Sequence, residues 1–437
     1  MSGPRILIYL DMRRRDYLGG VYLREEFLKL GCEVKFASRY TIRTLFPAFQ
    51  PDVVITGHTW ILGKERLKEW ARDTHLVVVP AEGAVVEDRS LCISDVEDGS
   101  FHPGIRNSTN TSFVSLYCTW GKRVRDWLVE DQVFDPKTLR VTGCPRFDGR
   151  MKNPAEKRKG FPVGILGQFD HISIFDNRNL FARIDNQRKV HGNYYSEGKN
   201  VEDRFWRNIA HLRLVYDSLD HFQKHEIDSL IRPHPNENPR DYDHMLNKYA
   251  PRLKMHTVPN LYDFMSSVSC VLILNTTTTI DALINNTPVI TLEELLHGRM
   301  HDHVDYPESR KKYLDYLWRP KSFDELQDMI EKAQRAELPL VPMKEEMDTF
   351  LREVYTLPSA ETASKKIARE VTELCKRDPK NKKRKFRPFA YLKYFAVVII
   401  RSLQSMLPGS NISLDYHLLI RNKELEQEFL QNYVGND

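Results

Sequence analysis

LIRPHP at residues 230–235 and LYDFMSSVSCVLILNTTTTIDALINNTPVIT at 261–291 are the runs from which the architecture of this chain is read. Ile227–Ile231 is an apolar run ending at a turn, so it is predicted to be a buried strand. Prolines 233 and 235 flank His234, restrict the backbone on both sides and keep that histidine out of any helix. Further on, Leu261–Ser267 reads as a short amphipathic helix and Cys270–Leu274 as a second buried strand. Asn275–Thr279 turns into a helix continuing through Ile284, and Thr287–Thr291 is the next strand. Asn and Thr cap helices, and the free N–H groups of a helix start attract phosphate. A cap needs one such side chain. Asn275, Thr276, Thr277, Thr278 and Thr279 supply five, which favours phosphate binding.

Working outward, Phe161–Gln168 is a strand ending at Gly167, where a bare backbone lets a ligand approach closely. Residues 169–201 are polar and aperiodic and read as an active-site loop, and Arg204–Lys224 as a helix. Toward the amino terminus, strands are predicted at Arg5–Asp11, Glu33–Ala37, Pro51–Thr56, Thr74–Val79 and Phe113–Tyr117. Arg13–Gly20 reads as a loop before a helix over Val21–Leu30, and Gly121–Glu130 as a further helix. Strands alternating with helices at this spacing imply a parallel, doubly wound sheet, whose ligands bind beyond the carboxyl ends of the strands. Those ends carry Asp11 with Arg13, then His58, then Glu82–Gly83. A carboxylate there can act as general base toward an acceptor hydroxyl. Glu97–Asp98–Gly99 is a competing acidic site in a polar loop.

The Gly143–Cys144–Pro145–Arg146 turn suits a crossing between domains, and the polar stretch Met151–Gly160 places the boundary. The expected domains are therefore residues 1–150, 160–375 and a tail, 376–437. Helices over Ser322–Ala336, Met343–Tyr355 and Ser359–Cys375 are predicted to complete the second domain. Lys376–Arg387 then holds eight basic residues and one acid, followed by an apolar, aromatic run over Pro388–Leu407. That pairing reads as an interfacial membrane anchor, with a domain-packing helix or a nucleic-acid patch as alternatives.

Composition narrows the classes further. With 41% hydrophobic and 29% charged residues, the chain is an ordinary globular one, and a net charge of +5 does not call for nucleic acid. Six scattered cysteines lack metal or disulfide spacing and fit a reducing cytoplasm. Neither a secretory signal nor a membrane-spanning run is read, since Ile6–Leu10 is too short and Arg13–Arg15 follow it. His297, His301, Asp302 and His303 lack regular metal spacing. Asp241–Tyr242–Asp243 matches an Asp-x-Asp pattern but follows Asn–Pro at a helix start, where acids are favoured by the dipole.

Between Arg5 and Cys375 the chain resembles the bacterial surface-carbohydrate biosynthesis transferases of GT-B fold. That group includes CDP-glycerol glycerophosphotransferases, Kdo transferases and polysialyltransferases. The resemblance rests on Gly143-x-Pro145-Arg146-Phe147-Asp148, on Arg232–Pro233–His234–Pro235, and on Asn275–Thr279 followed by Asp281–Ala282–Leu283 and Pro288–Val289–Ile290. It implies an α/β fold of two Rossmann-like, doubly wound domains facing a cleft, to which composition adds the basic, membrane-associating helical tail. It also implies metal-independent transfer from a CMP- or CDP-linked donor, without a cofactor. The donor phosphate would be held by His234 and Thr276–Thr279, with Gly167, Arg232, Asn275 and Asp281 around them. Glu82 would be the base, although only the second acid of the family's acidic-acidic-Gly motif is present. Asp11, Arg13 and His58 would face the acceptor, a glycan or lipid-linked glycan. The expected location is the inner face of the cytoplasmic membrane, reached through the tail, with no nucleic-acid partner.

Two other functions stay open. Non-hydrolysing UDP-sugar 2-epimerases share this architecture and a His–Pro turn, but their phosphate helix starts with a Ser-Gly-Gly-type sequence and carries paired glutamates, where this chain has four threonines and Asp281. A non-catalytic, membrane-associated sugar-binding subunit would explain the incomplete motif at Glu82.

Overall fold

The computed structural model of the chain describes residues 3–10, 13–38, 40–57, 64–80, 111–151, 159–169, 172, 201–234, 237–256, 261–274, 276, 278–297, 314–356, 361–380 and 387–405. Its strands are β1 (Arg5–Tyr9), β2 (Glu33–Ala37), β3 (Val53–Thr56), β4 (His75–Val78), β5 (Val114–Thr119), β6 (Leu139–Val141), β7 (Val163–Leu166), β8 (Ser229–Arg232), β9 (Leu253–Met255), β10 (Val271–Ile273) and β11 (Val289–Thr291). Helices α1 (Arg13–Lys29), α2 (Ile42–Phe49), α3 (Lys64–Ala71) and α4 (Lys122–Glu130) accompany the first six strands. Helices α5 (Val201–Lys224), α6 (Asp243–Tyr249), α7 (Leu261–Ser266), α8 (Thr278–Ile284), α9 (Glu293–His297) and α10 (Phe323–Gln334) accompany the rest. The last described elements are α11 (Lys344–Val354), α12 (Ala363–Arg377) and α13 (Pro388–Ser405).

Two units result, Met1–Asn153 together with Leu351–Asp437, and Pro154–Phe350. The first carries a six-stranded sheet in the order β2-β1-β3-β4-β5-β6, and all its strand pairs are parallel. The second carries a five-stranded sheet, β11-β10-β7-β8-β9, again all parallel. Each is a doubly wound α/β sheet, as the sequence predicts.

In the first unit the two-residue period of a strand sends neighbours to opposite cores. Leu7, Tyr9 and Val54 face one cluster, while Ile6, Ile8, Val53 and Ile55 face the other. The first face is covered by α2 through Leu45 and Phe49, by α4 through Leu128, and by α13 through Tyr394 and Val398. Helices α1 (Leu23, Phe27) and α12 (Ile367, Ala368, Val371) cover the second. In the second unit α5, α6 and α10 pack Leu214, Tyr249 and Ile330 with Val163, Ile231 and Leu272 of the sheet.

The chain's return differs from expectation. The helix expected over Ser359–Cys375 in the second domain is α12, Ala363–Arg377, and it packs in the core of the first unit. Asp148 explains this. Its carboxylate accepts from the amides of Ala363 (2.8 Å) and Ser364 (2.8 Å), capping α12 from the far end of the Gly143–Asp148 motif. Phe147 sits edge-on to Trp120 and Tyr355 (centroids 5.5 and 4.9 Å), closing the same junction. Gly143 is left-handed (φ +84°), a conformation that costs a side chain dearly. Beyond α12, the buried His75 ring donates through Nε2 to the backbone carbonyl of Asp378 (2.8 Å).

A second expectation also fails. Arg13–Gly20 is the start of α1 and not a loop, so Gly19 and Gly20 are helical. A Cβ on Gly19 would meet the Arg146 backbone nitrogen at 3.0 Å, and one on Gly20 would meet Leu10 Cδ2 at 2.9 Å. The glycines serve close packing here. The helix from Pro388 does form, and it is docked to the first unit through one face; residues 406–437 lie outside the described residues.

Candidate donor-phosphate edge and acceptor cleft

In the second unit the chain runs from β7 through β8 to β9 on one side and returns through β10 to β11 on the other. The winding therefore reverses between β7 and β10. That switch point is where the connections diverge and leave a crevice at the strands' carboxyl ends. Gly167–Gln168 leave β7 there, Pro233–His234 leave the adjacent β8, and Thr276 follows β10. The sequence motifs thus meet on one edge of three neighbouring strands. Gln168 ties two of these ends together, its Oε1 accepting from the Leu274 amide at 3.1 Å.

Glu237 holds the His234 turn. This buried carboxylate accepts from the His234 amide (2.7 Å), the Tyr242 hydroxyl (2.5 Å) and the Phe169 amide. Burial raises its pKa, opposed by His234 and the three donors. Gly167 leaves room for it, since a Cβ there would approach Glu237 Oε2 to 2.5 Å and the His234 nitrogen to 3.1 Å. The Asp-x-Asp-like stretch finds its use in its middle residue, Tyr242. Sequence reasoning passed over Glu237 as a buried acceptor and Tyr242 as its partner, because the groups that bury Glu237 include Gly167 and Phe169 from a distant part of the chain.

Beneath the turn, buried Arg232 lies 2.9 Å from His256 Nδ1 and over the Phe264 ring at 6.0 Å. A guanidinium only donates, so Nδ1 is the acceptor and His256 is neutral. Burial, with Arg232 adding to it, brings the His256 pKa down to about 4. Arg232 therefore keeps its positive charge beside a neutral His256. The buried His211 ring rests on Phe169 (centroids 4.8 Å), hydrogen-bonded to the Gln168 backbone, and burial lowers its pKa to about 3. It supports the turn as a neutral ring.

The described threonines bond mainly to one another. Thr276 Oγ1 accepts from the Thr278 amide (3.3 Å) and lies 3.2 Å from Thr278 Oγ1, while the Thr279 hydroxyl donates to the Thr276 carbonyl (2.7 Å). Thr279 and Asp281 are buried; Thr276 and Thr278 are half-buried at the edge. Asn275 and Thr277 lie outside the described residues. Part of the row is local capping, and the hydroxyls left at the edge are those of Thr276 and Thr278.

The first unit has its own switch point, between β1 and β3. A shallow cleft opens there, walled by Leu10, Thr56, Gly57 and Pro80, with Asp16 of α1 and Arg146 as its charged residues. Arg146 stacks over Trp120 (5.2 Å) and Phe147 (4.9 Å). Asp11, His58, Glu82, Glu97 and Asp98 lie outside the described residues, as does the side chain of Arg13. Leu10 and Gly57, which precede Asp11 and His58, line the cleft, and so does Pro80, two positions before Glu82. Among the described residues, no three His, Cys, Asp or Glu side chains are grouped to hold a metal ion.

No protein-family model and no curated protein sequence matches this chain. Solved structures do. The wall teichoic acid polymerase TagF aligns with a TM-score of 0.52 at 10% identity, over 86% of this chain and 89% of that one. A UDP-N-acetylglucosamine 2-epimerase described as putative, from Listeria monocytogenes, aligns at 0.47 and 11% identity, over 87% and 99%. The UDP-GlcNAc 2-epimerase from Neisseria meningitidis, bound to UDP-GlcNAc, aligns at 0.47 and 8%, over 86% and 100%. The similarity to the polymerase shows a fold of the GT-B type.

Proposed function

We propose that this chain is a GT-B-type transferase of cell-surface glycan biosynthesis that takes a nucleotide-activated donor, with a CMP- or CDP-linked donor as the specific reading. The observation that carries it is the convergence of the His234 turn, Gly167–Gln168 and the Thr276 cap on the switch point of the second unit, with the charge of Arg232 beneath. The name of the wall teichoic acid polymerase adds the glycan-assembly context, and four threonines with Asp281 favour the transferase over a UDP-sugar epimerase.

The chemistry follows from charge. As the bond between donor phosphate and transferred group breaks, negative charge grows on the departing phosphate oxygens. A fixed cation, an imidazole on a rigid turn and aligned hydroxyls lower the energy of that state without reorganising during the step. No metal is required for this role. The attacking acceptor hydroxyl must give up its proton, and the base candidates are Glu82 and the Glu97–Asp98 site.

A thermal-shift panel of CMP, CDP, UDP and GDP tests the reading. A cytidine nucleotide at a hundredfold excess over its Kd is expected to raise the melting temperature by about 5 °C or more, and His234→Ala to abolish the shift. Stabilisation by UDP alone, with UDP-sugar interconversion in the absence of an acceptor, would show an epimerase instead.

A further inference from the structure

Helix α13 has two apolar faces. Tyr394 and Val398 are buried on the first unit, and Tyr391 is half-buried with the Lys35 ammonium 5.3 Å from its ring. Phe389, Leu392, Phe395, Ile399, Ile400 and Leu403 are all more than half exposed, Phe389 at 83%. At 3.6 residues per turn these six share one stripe about 140° wide and about 21 Å long, opposite the buried face. An exposed stripe of that kind marks an interaction surface.

We propose that this outer face of α13 seats the protein on an anionic lipid surface, the helix lying flat with its six side chains among the acyl chains. The charge around it selects this occupant. Lys376, Arg377, Arg387 and Lys393 are exposed and Lys380 is half-buried, all within the stretch that leads into α13 or on the helix itself. The sequence from Lys376 to Arg387 holds eight basic residues against Asp378. Exposed pairs such as Lys376–Glu373 (2.7 Å) and Lys380–Asp378 (3.1 Å) neutralise only part of it. A second copy docked on this face would bring like charges together, whereas acidic headgroups complement them. Spanning the bilayer is ruled out for this helix. No described helix is long and apolar enough, and the opposite face of α13 is committed to a protein core. The sequence predicts association by the tail as a whole. The structure selects the face that does it, and the inference is independent of the donor assignment.

The full-length protein is sedimented with phosphatidylcholine vesicles with and without phosphatidylglycerol. Binding is expected only with the anionic lipid and is expected to weaken as salt rises. Phe395→Asp with Ile399→Asp should lower binding about tenfold or more, and Arg377→Gln with Arg387→Gln should lower it on anionic vesicles. Both pairs change exposed positions, so unchanged thermal unfolding verifies the fold. Equal binding to neutral vesicles, or binding unaffected by the aspartates, overturns the proposal. So does a dimer in solution that the aspartates dissociate while the unsubstituted protein ignores vesicles.

Discussion

Glu237 shows how one buried acid sets the geometry of a neighbouring turn. Three donors aim at it, and each buried donor left without an acceptor costs about 1–3 kcal/mol. Glu237→Ala is therefore expected to lower stability by about 3–5 kcal/mol in denaturant unfolding. Glu237→Gln keeps the volume but turns an amide toward groups that themselves donate. The Gln variant should lose nucleotide affinity by about tenfold while retaining a cooperative transition, because the His234 amide loses its fixed acceptor. Wild-type affinity in the Gln variant would separate the turn from the binding site. His234 was legible from the sequence because its two prolines are local signals. Glu237 was not, since its burial depends on Gly167 and Phe169, the latter 68 residues away, meeting it in the fold.

At the scale of elements, strands were the most readable part of the chain. The apolar runs at Arg5–Tyr9, Val53–Thr56 and Val271–Ile273 are buried on both faces and look alike in any parallel sheet. The start of α1 was misread because glycine signals turns in isolation, whereas Gly19 and Gly20 exist for contacts with residues far along the chain. Helix α12 depends on a cap more than 200 positions away, which no local pattern reveals. That cap titrates. Burial raises the Asp148 pKa from 3.8 to about 6, with Glu26 adding to it and the two amides opposing it. A carboxyl whose pKa is higher in the folded state stabilises fully below its unfolded value, and that contribution is lost as pH rises through the folded one. Between pH 3.8 and about 6 the unfolding free energy should therefore lose up to about 3 kcal/mol on account of Asp148. Denaturant titrations at pH 4 and pH 7 check this: Asp148→Asn should flatten the difference, and parallel pH profiles for the two proteins would reject the assignment.

At the scale of the whole molecule, the alternation of strands and helices announced two parallel sheets, but the assignment of the last helices to them did not follow. That assignment rests on Ile367 and Val371 meeting Ile6 and Ile8, and on Tyr394 and Val398 meeting Leu45 and Phe49. Both faces of the first sheet are thus finished by the end of the chain. A fragment spanning residues 154–350 is expected to unfold cooperatively in urea by circular dichroism. A fragment spanning 1–153 is expected to show no cooperative transition until residues 351–405 are supplied. A cooperative transition in the isolated amino-terminal fragment would mean that α12 and α13 decorate a finished core.

The discontinuous first unit also governs birth order on the ribosome. About 200 residues separate Asn153 from Leu351. At 5–20 residues per second, translation leaves the nascent first sheet without α12 and α13 for about 10–40 s, while the inserted unit is completed. The segment made first is therefore the last to be sealed, and its uncovered Ile and Val faces are the surfaces a chaperone would shield in the interval.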